Sequence, residues 1–270
     1  MRDALFSLLL YFGQLLLLTL GIVALCGLSV HLLSKLFSWL MGGGSGSFFD
    51  FTAVIGTPIH ELGHAAMCLL FGHRIERIKL WSPTARGGTY GYVEHSYNRH
   101  NPWARMGNLF IGLGPIFSGL AVIVLMLHLC FPTPWSAYLE TSRELIASGA
   151  SPSELLSGVL SLLLGLPRAF AADWLRSLLG LLVILPVSLH VTLSWQDVKG
   201  CLGALPIYLA MLAVFSLVTF AAGVNAPIAS SLWLFNLRLL SLFSLVIAFS
   251  ALWVVIALIL RLCRTVIGWF

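Results

Sequence analysis

The chain has 270 residues, of which 59% are hydrophobic and 9% charged, and its mean hydropathy is +0.97. A soluble globular domain carries roughly 25% charged residues, so too little charge is present to cover a water-facing surface, which excludes an ordinary cytosolic enzyme, a disordered chain and a nucleic-acid-binding domain. The net charge of +5 is carried by so few groups that it reads as a topology signal, and the class that remains is an all-α multispanning membrane protein, whose backbone must satisfy itself inside lipid.

A bilayer is crossed by about 20 mostly apolar residues. The first such run is Ala4 to about Leu28. It is too long for the apolar core of a signal peptide and has no clear cleavage site, so it is expected to be retained. Ser29 to Met41 stays apolar but carries His31 and Lys35, as an interfacial extension would, and Gly42 to Ser47 is a flexible break. The second run is about Phe51 to Phe71 and the third about Gly107 to Phe131. Pro132 to Asp173 is more polar, with a short amphipathic helix predicted near Ser151 to Leu164. The fourth, fifth and sixth runs are about Trp174 to Leu193, Val198 to Ala222 and Leu232 to Leu262. About six spans are therefore expected, in one membrane domain over residues 1–270 with no inserted soluble domain.

Between the second and third spans, Ile78 to Trp81 and Thr89 to Val93 are β-prone, and turn formers from Ser82 to Gly88 separate them. A small β-hairpin is predicted there. The same loop holds Arg74, Arg77, Lys79, Arg86, Arg99 and Arg105. The rule that basic loops stay in the cytoplasm then puts both termini inside. Cys26, Cys68, Cys130, Cys201 and Cys263 are widely spaced. They read as small hydrophobes in helices, not as disulfides or thiolate metal ligands.

The informative segment is His60-Glu61-Leu62-Gly63-His64, an H-E-x-x-H match inside an apolar run. A chain of this composition is expected to carry only roughly 0.005 such matches by chance. Residues four apart share a helix face, so both imidazoles can reach one zinc ion, with Glu61 beside them as general base. Ionisable side chains within a span are expensive and mark function.

A catalytic zinc site has three protein ligands and an open position. Asp197, before the fifth span, is expected at a depth similar to the two histidines. It reads either as the third ligand or as the cap of its helix, and the two roles look mutually exclusive. His190, in the fourth span, reads as a hydrogen-bond partner of a ligand, an alternative ligand or a packed helix residue. Glu94 is a remote alternative. His73 reads as a helix-terminal charge, His95 and His100 as solvated loop residues, and His31 and His128 as structural. Asn108 either holds substrate or hydrogen-bonds a neighbouring helix, the second being favoured. Gly112, Gly114, Ser118 and Gly119 read as a small-residue packing face against the catalytic helix.

These residues resemble the site-2 protease family of intramembrane zinc metalloproteases. The resemblance covers about residues 50–205. It rests on the His60–His64 motif, on Gly112-Leu113-Gly114-Pro115 in the next span and on Asp197 at the start of a later one. It departs at the carboxylate, where Val198 and Lys199 precede Gly200 and the family has Gly at once. The resemblance implies one Zn2+ held by His60, His64 and Asp197, with Glu61 as general base. It also implies that the hairpin at 75–95, including Tyr90, Gly91 and Tyr92, presents substrate as an added strand. No PDZ-type insertion is present. The expected function is intramembrane zinc endopeptidase, cleaving membrane-anchored peptides or proteins near the cytoplasmic side. The expected setting is the lipid bilayer of a bacterial plasma membrane. The alternatives are a non-cleaving zinc-bearing regulator that binds transmembrane peptides and, lower, a metal transporter.

Overall fold

Apolar segments close their backbone hydrogen bonds locally, and the computed structural model is accordingly mostly helix. It describes residues 2–42, 45–83, 90–149, 151 and 153–267. Helix α1 (Arg2–Leu16) continues through a π turn at Leu17–Gly21 into α2 (Ile22–Met41), forming one rod of 40 residues. A π turn disturbs the carbonyl ladder, and here Asn236 donates its Nδ2–H to Leu18 O at 2.7 Å. Helix α3 (Ser45–Leu70) carries the H-E-x-x-H motif and leads into strands β1 (Arg74–Lys79) and β2 (Tyr92–Ser96). Helices α4 (Pro102–Cys130), α5 (Pro132–Ala147), α6 (Leu155–Ala172), α7 (Trp174–His190), α8 (Trp195–Ala221) and α9 (Asn225–Ile267) follow.

Local chemistry sets several of these boundaries. Asn101 accepts from Trp103 N at 3.0 Å with Pro102 in the first turn of α4, Asp173 accepts from Arg176 N at 3.1 Å to start α7, and Ser194 opens α8 with a capping box.

Five segments among the described residues are long and apolar enough to cross a membrane: Arg2–Met41, Pro102–Cys130, Leu155–Ala172, Trp195–Ala221 and Asn225–Val266. They do not match the six sequence runs one for one. The predicted amphipathic helix is α6, of spanning length and hydropathy. Helix α7 has only 17 residues. Helix α3 has 26 residues, but Asp50, His60, Glu61 and His64 interrupt its apolar run. Large apolar side chains such as Phe6, Leu32, Phe51, Leu164, Val214 and Leu262 face outward, more exposed oil than a water-soluble monomer leaves.

The core is built around α4, which packs on α3, α7 and α8. Ile116, Ile123 and Leu127 of α4 are fully buried together with Phe243 and Phe249 of α9. Small residues set the approach of α3 and α4. A Cβ on Gly63 would lie 2.6 Å from Gly114 O, and one on Gly114 would lie 2.5 Å from Gly63 O. Ser118 Oγ donates to Ile59 O at 2.8 Å. The expected packing face is therefore present, but it serves three neighbours. Gly114 and Ser118 meet α3, Gly112 meets Asp197 and Cys201 of α8, and Gly119 meets Val191.

The hairpin lies where the sequence suggests, with its strands displaced away from the turn. Its pairs run from Arg74↔Ser96 to Lys79↔Tyr92, with an irregularity between Ile75 and Arg77. Pairing starts directly after α3, so Leu80, Trp81, Tyr90 and Gly91 fall outside the strands. Gly91 leaves the ladder because it packs on Glu61, where a Cβ would lie 2.8 Å from Glu61 Cγ and 2.8 Å from Lys79 O. The predicted turn at 84–88, including Arg86, lies outside the described residues.

Candidate metal centre

One turn of α3 carries His60 and His64 on the same face, and their ring centroids are 4.9 Å apart. Each ring is aimed by a backbone carbonyl. His60 Nδ1 is 2.9 Å from His190 O, and His64 Nδ1 is 2.7 Å from Ile111 O. Both carbonyls are free for a local reason. His190 is the last residue of α7, where helix carbonyls lack partners. Ile111 is four residues before Pro115, which has no N–H to offer it.

A carbonyl only accepts, so each Nδ1 carries its ring's proton and each neutral Nε2 carries a lone pair. The two Nε2 atoms lie 3.2 Å apart. Two lone pairs at that range repel unless a cation sits between them. A tetrahedral zinc site with Zn–N of about 2.0–2.1 Å places its nitrogens about 3.3 Å apart, so the spacing fits zinc.

Asp197 completes the set. Its Oδ1 is 3.2 Å from His64 Nε2 and its Oδ2 is 3.9 Å from His60 Nε2. One ligand atom from each of the three residues lies within 4.8 Å of the others. Asp197 is also the capping residue. Ser194 N donates to Asp197 Oδ2 at 2.7 Å, and Asp197 N donates to Ser194 Oγ at 3.2 Å. Capping α8 therefore does not prevent Asp197 from also facing the two histidines, because a carboxylate has two oxygens with several lone pairs. Oδ2 holds the start of α8 and also lies on the His60 side, while Oδ1 faces His64. The close fit of Gly112 under Asp197 O lets α8 come this near.

Glu61, 6% exposed, lines a cavity of about 710 Å³ with these three residues. Tyr90, Gly91, Tyr92 and Val93 line it too. Tyr90 donates its hydroxyl to Asp50 of α3. Burial, then the Asp50 carboxylate, pushes the Tyr90 phenol up to about 12, so it stays protonated. Asn108 also lines the cavity, but its Nδ2 donates to Arg105 O of its own helix at 3.3 Å. The expected bond to a neighbouring helix is not formed, because the side chain curls back on the first turns of α4. His190 serves the centre through its carbonyl. Its ring Nε2 is 3.1 Å from Thr52 Oγ1, and the ring packs over Gly56. Glu94 faces Arg77 at 3.8 Å on the hairpin surface.

Sequence reading missed a second cluster. His73 is buried instead of facing water at a helix end, and His95 is a half-buried residue of β2 instead of a solvated loop residue. Cys68, His73 and His95 bring ligand atoms within 4.8 Å of one another. Burial, then the imidazoles of His73 and His64, hold His95 below the ordinary histidine range. Gly72 directly after the helix was the available signal, since a glycine there marks a turn that folds the next residue back.

No protein-family model, curated protein or solved structure matches this chain.

Proposed function

We propose that this chain is a multi-pass intramembrane zinc endopeptidase of the site-2 protease type, with His60, His64 and Asp197 as zinc ligands and Glu61 as general base. The observation that carries the reading is the pair of Nε2 atoms 3.2 Å apart, both rings fixed by carbonyls, with Asp197 Oδ1 at 3.2 Å from His64 Nε2 and Glu61 lining the same cavity. A purely structural metal site has no use for a buried, unligated Glu61.

Bound zinc would polarise a carbonyl and make water acidic enough to attack it near neutral pH. The protein supplies the rest. The carbonyls of His190 and Ile111 keep the ligand lone pairs aimed, which removes reorganisation from the reaction. Glu61 takes a proton from the attacking water at its carboxylate and returns it to the amide nitrogen as that bond breaks. Gly91 presses on Glu61 Cγ and limits the positions its carboxylate can take. Strand β2 pairs only with β1 among the described residues, so its other edge is open to an extended segment. Tyr92 and Val93 belong both to that strand and to the cavity wall. A substrate helix must unwind before a peptide bond can enter, and strand pairing along this edge would hold the unwound segment.

The substrate class is a membrane-anchored peptide or protein, cut near the cytoplasmic face, with both termini of the enzyme cytoplasmic in a bacterial plasma membrane. The test is cleavage of a single-span peptide co-reconstituted in vesicles. Chelation stops it and added Zn2+ restores it if the reading is right. Cleavage indifferent to chelator, or tight peptide binding with no product, favours the non-cleaving regulator.

A further inference from the structure

Helix α3 ends in a Schellman turn. Gly72 has φ +69°, its N–H reaches Leu69 O at 3.3 Å, and His73 N–H reaches Cys68 O at 2.8 Å. This turn sets the third residue from the helix end beside the second residue past it. Here those residues are Cys68 and His73. Strand β1 starts at the next residue, and its register puts Ile75 opposite His95. A third donor is thereby delivered to the same place. His73 Nδ1 lies 2.9 Å from His95 Nδ1. Cys68 is 0% exposed and His73 4%.

The His73 ring is prepared as the ligand rings of the first centre are. Its Nε2 is 2.7 Å from Ala104 O, so Nε2 carries the proton and Nδ1 the lone pair. Tyr97 stacks on the ring with centroids 4.6 Å apart. Close approach of α4 permits this, because a Cβ on Gly107 would lie 2.5 Å from Phe71 Cβ and 3.1 Å from His73 Nε2. A hydrogen bond between the two rings would use two nitrogens only. A cation would use the sulfur as well.

We propose that Cys68, His73 and His95 form a second metal site, distinct from the His60–His64–Asp197 centre, that binds a thiophilic divalent cation of the zinc class and ties the end of α3 to β2. One thiolate and two imidazoles suit that class and disfavour magnesium or calcium. Three protein donors leave a fourth position for water or another small ligand. The site's task is positional. Strand β2 runs back from His95 to its first residue, Tyr92, and Gly91 just before it rests on Glu61. A cation here fixes the height of that strand over the cavity. The proposal does not depend on proteolysis, since its test reads metal alone.

The test is Co2+ titration of the purified full chain, read in the near ultraviolet, where cobalt absorbs by charge transfer only from a sulfur ligand. The first centre has no sulfur donor, so the band reports the second site. The wild type is expected to show the band, complete by two equivalents of added cobalt, one for each centre, alongside the weaker visible bands of the first centre. Cys68→Ser is expected to lose the band. His95→Gln, on a half-exposed strand position, is expected to weaken it at least about tenfold in affinity. His64→Ala and Cys201→Ser are expected to keep it. Absence of the band in the wild type overturns the proposal. So does a band that survives Cys68→Ser or follows Cys201, and a His95→Gln titration unchanged from wild type.

Discussion

His64 donates its Nδ1–H to the carbonyl of Ile111 at 2.7 Å, and that carbonyl is available because Pro115 sits one helical turn further along α4. The proline inside a buried helix costs a backbone hydrogen bond. What results is an acceptor pointed at the His64 imidazole on the neighbouring helix. Pro115→Ala restores an N–H that competes for Ile111 O. Zinc affinity is expected to fall about 10- to 100-fold, as when the hydrogen-bond partners of metal ligands are removed, with helix content unchanged. Competition titration against a chelator measures it.

Asp197 separates into its two roles by substitution. Asp197→Asn keeps an oxygen for Ser194 N–H but gives up the charge, whereas Asp197→Ala gives up both. Both variants are expected to lose zinc from the first centre. Asp197→Ala is expected to lose more stability at the start of α8 than Asp197→Asn, by about 0.5–2 kcal/mol, because it alone removes the capping acceptor. Elemental analysis and thermal unfolding in detergent read the two effects independently.

Much of this candidate site was legible in the sequence because the side chains that cluster in it are chemically conspicuous. His60, Glu61 and His64 stand out in an apolar helix, and Asp197 is one of few acids near it. What supports them was not legible. The acceptors for both rings are backbone carbonyls, which have no residue identity, and Pro115 and the end of α7 reveal them only once the helices are packed. Asp197 looked like a cap or a ligand because the sequence cannot show that two oxygens point different ways. In the fold, the long apolar runs announced the helices of the first, third, fifth and sixth segments. Helix α6 was read as amphipathic because the polar residues around Ser151 to Glu154 lie just before it and dilute its signal. Arg74-Ile75-Glu76-Arg77-Ile78 lacks strand-like alternation, so β1 is imposed by pairing with β2, and the residues nearer the turn were favoured in its place.

Gly63 and Gly114 meet backbone to backbone, and a Cβ on either would have its nearest neighbour at 2.5 Å. Gly63→Ala or Gly114→Ala forces α3 and α4 apart, and overpacking of this kind costs about 1–3 kcal/mol. Each is expected to lower the unfolding temperature and to weaken zinc binding, since His64 would be drawn from Ile111 O. Gly13 has nothing within 4 Å of its Cβ position, so Gly13→Ala is the matched control and is expected to leave zinc binding unchanged and the unfolding temperature the same or higher.

Gly91 is the contact between the hairpin and Glu61, the proposed general base. A methyl group there would meet Glu61 Cγ at 2.8 Å and the carbonyls of Lys79 and Leu80 at 2.8 and 2.9 Å. Gly91→Ala is expected to leave zinc content intact and to slow peptide cleavage by about tenfold or more, the scale of a misplaced general base. Parallel zinc analysis and cleavage rates separate this from simple loss of the metal.

Cleavage by wild type and Glu61→Gln, compared at equal zinc content in the same vesicles, is the most direct measurement. The substitution keeps the size of the side chain and removes its ability to carry a proton. The prediction is a variant that retains its zinc and its peptide binding yet gives no detectable product. A variant that cuts as fast as the wild type would contradict hydrolysis at this centre.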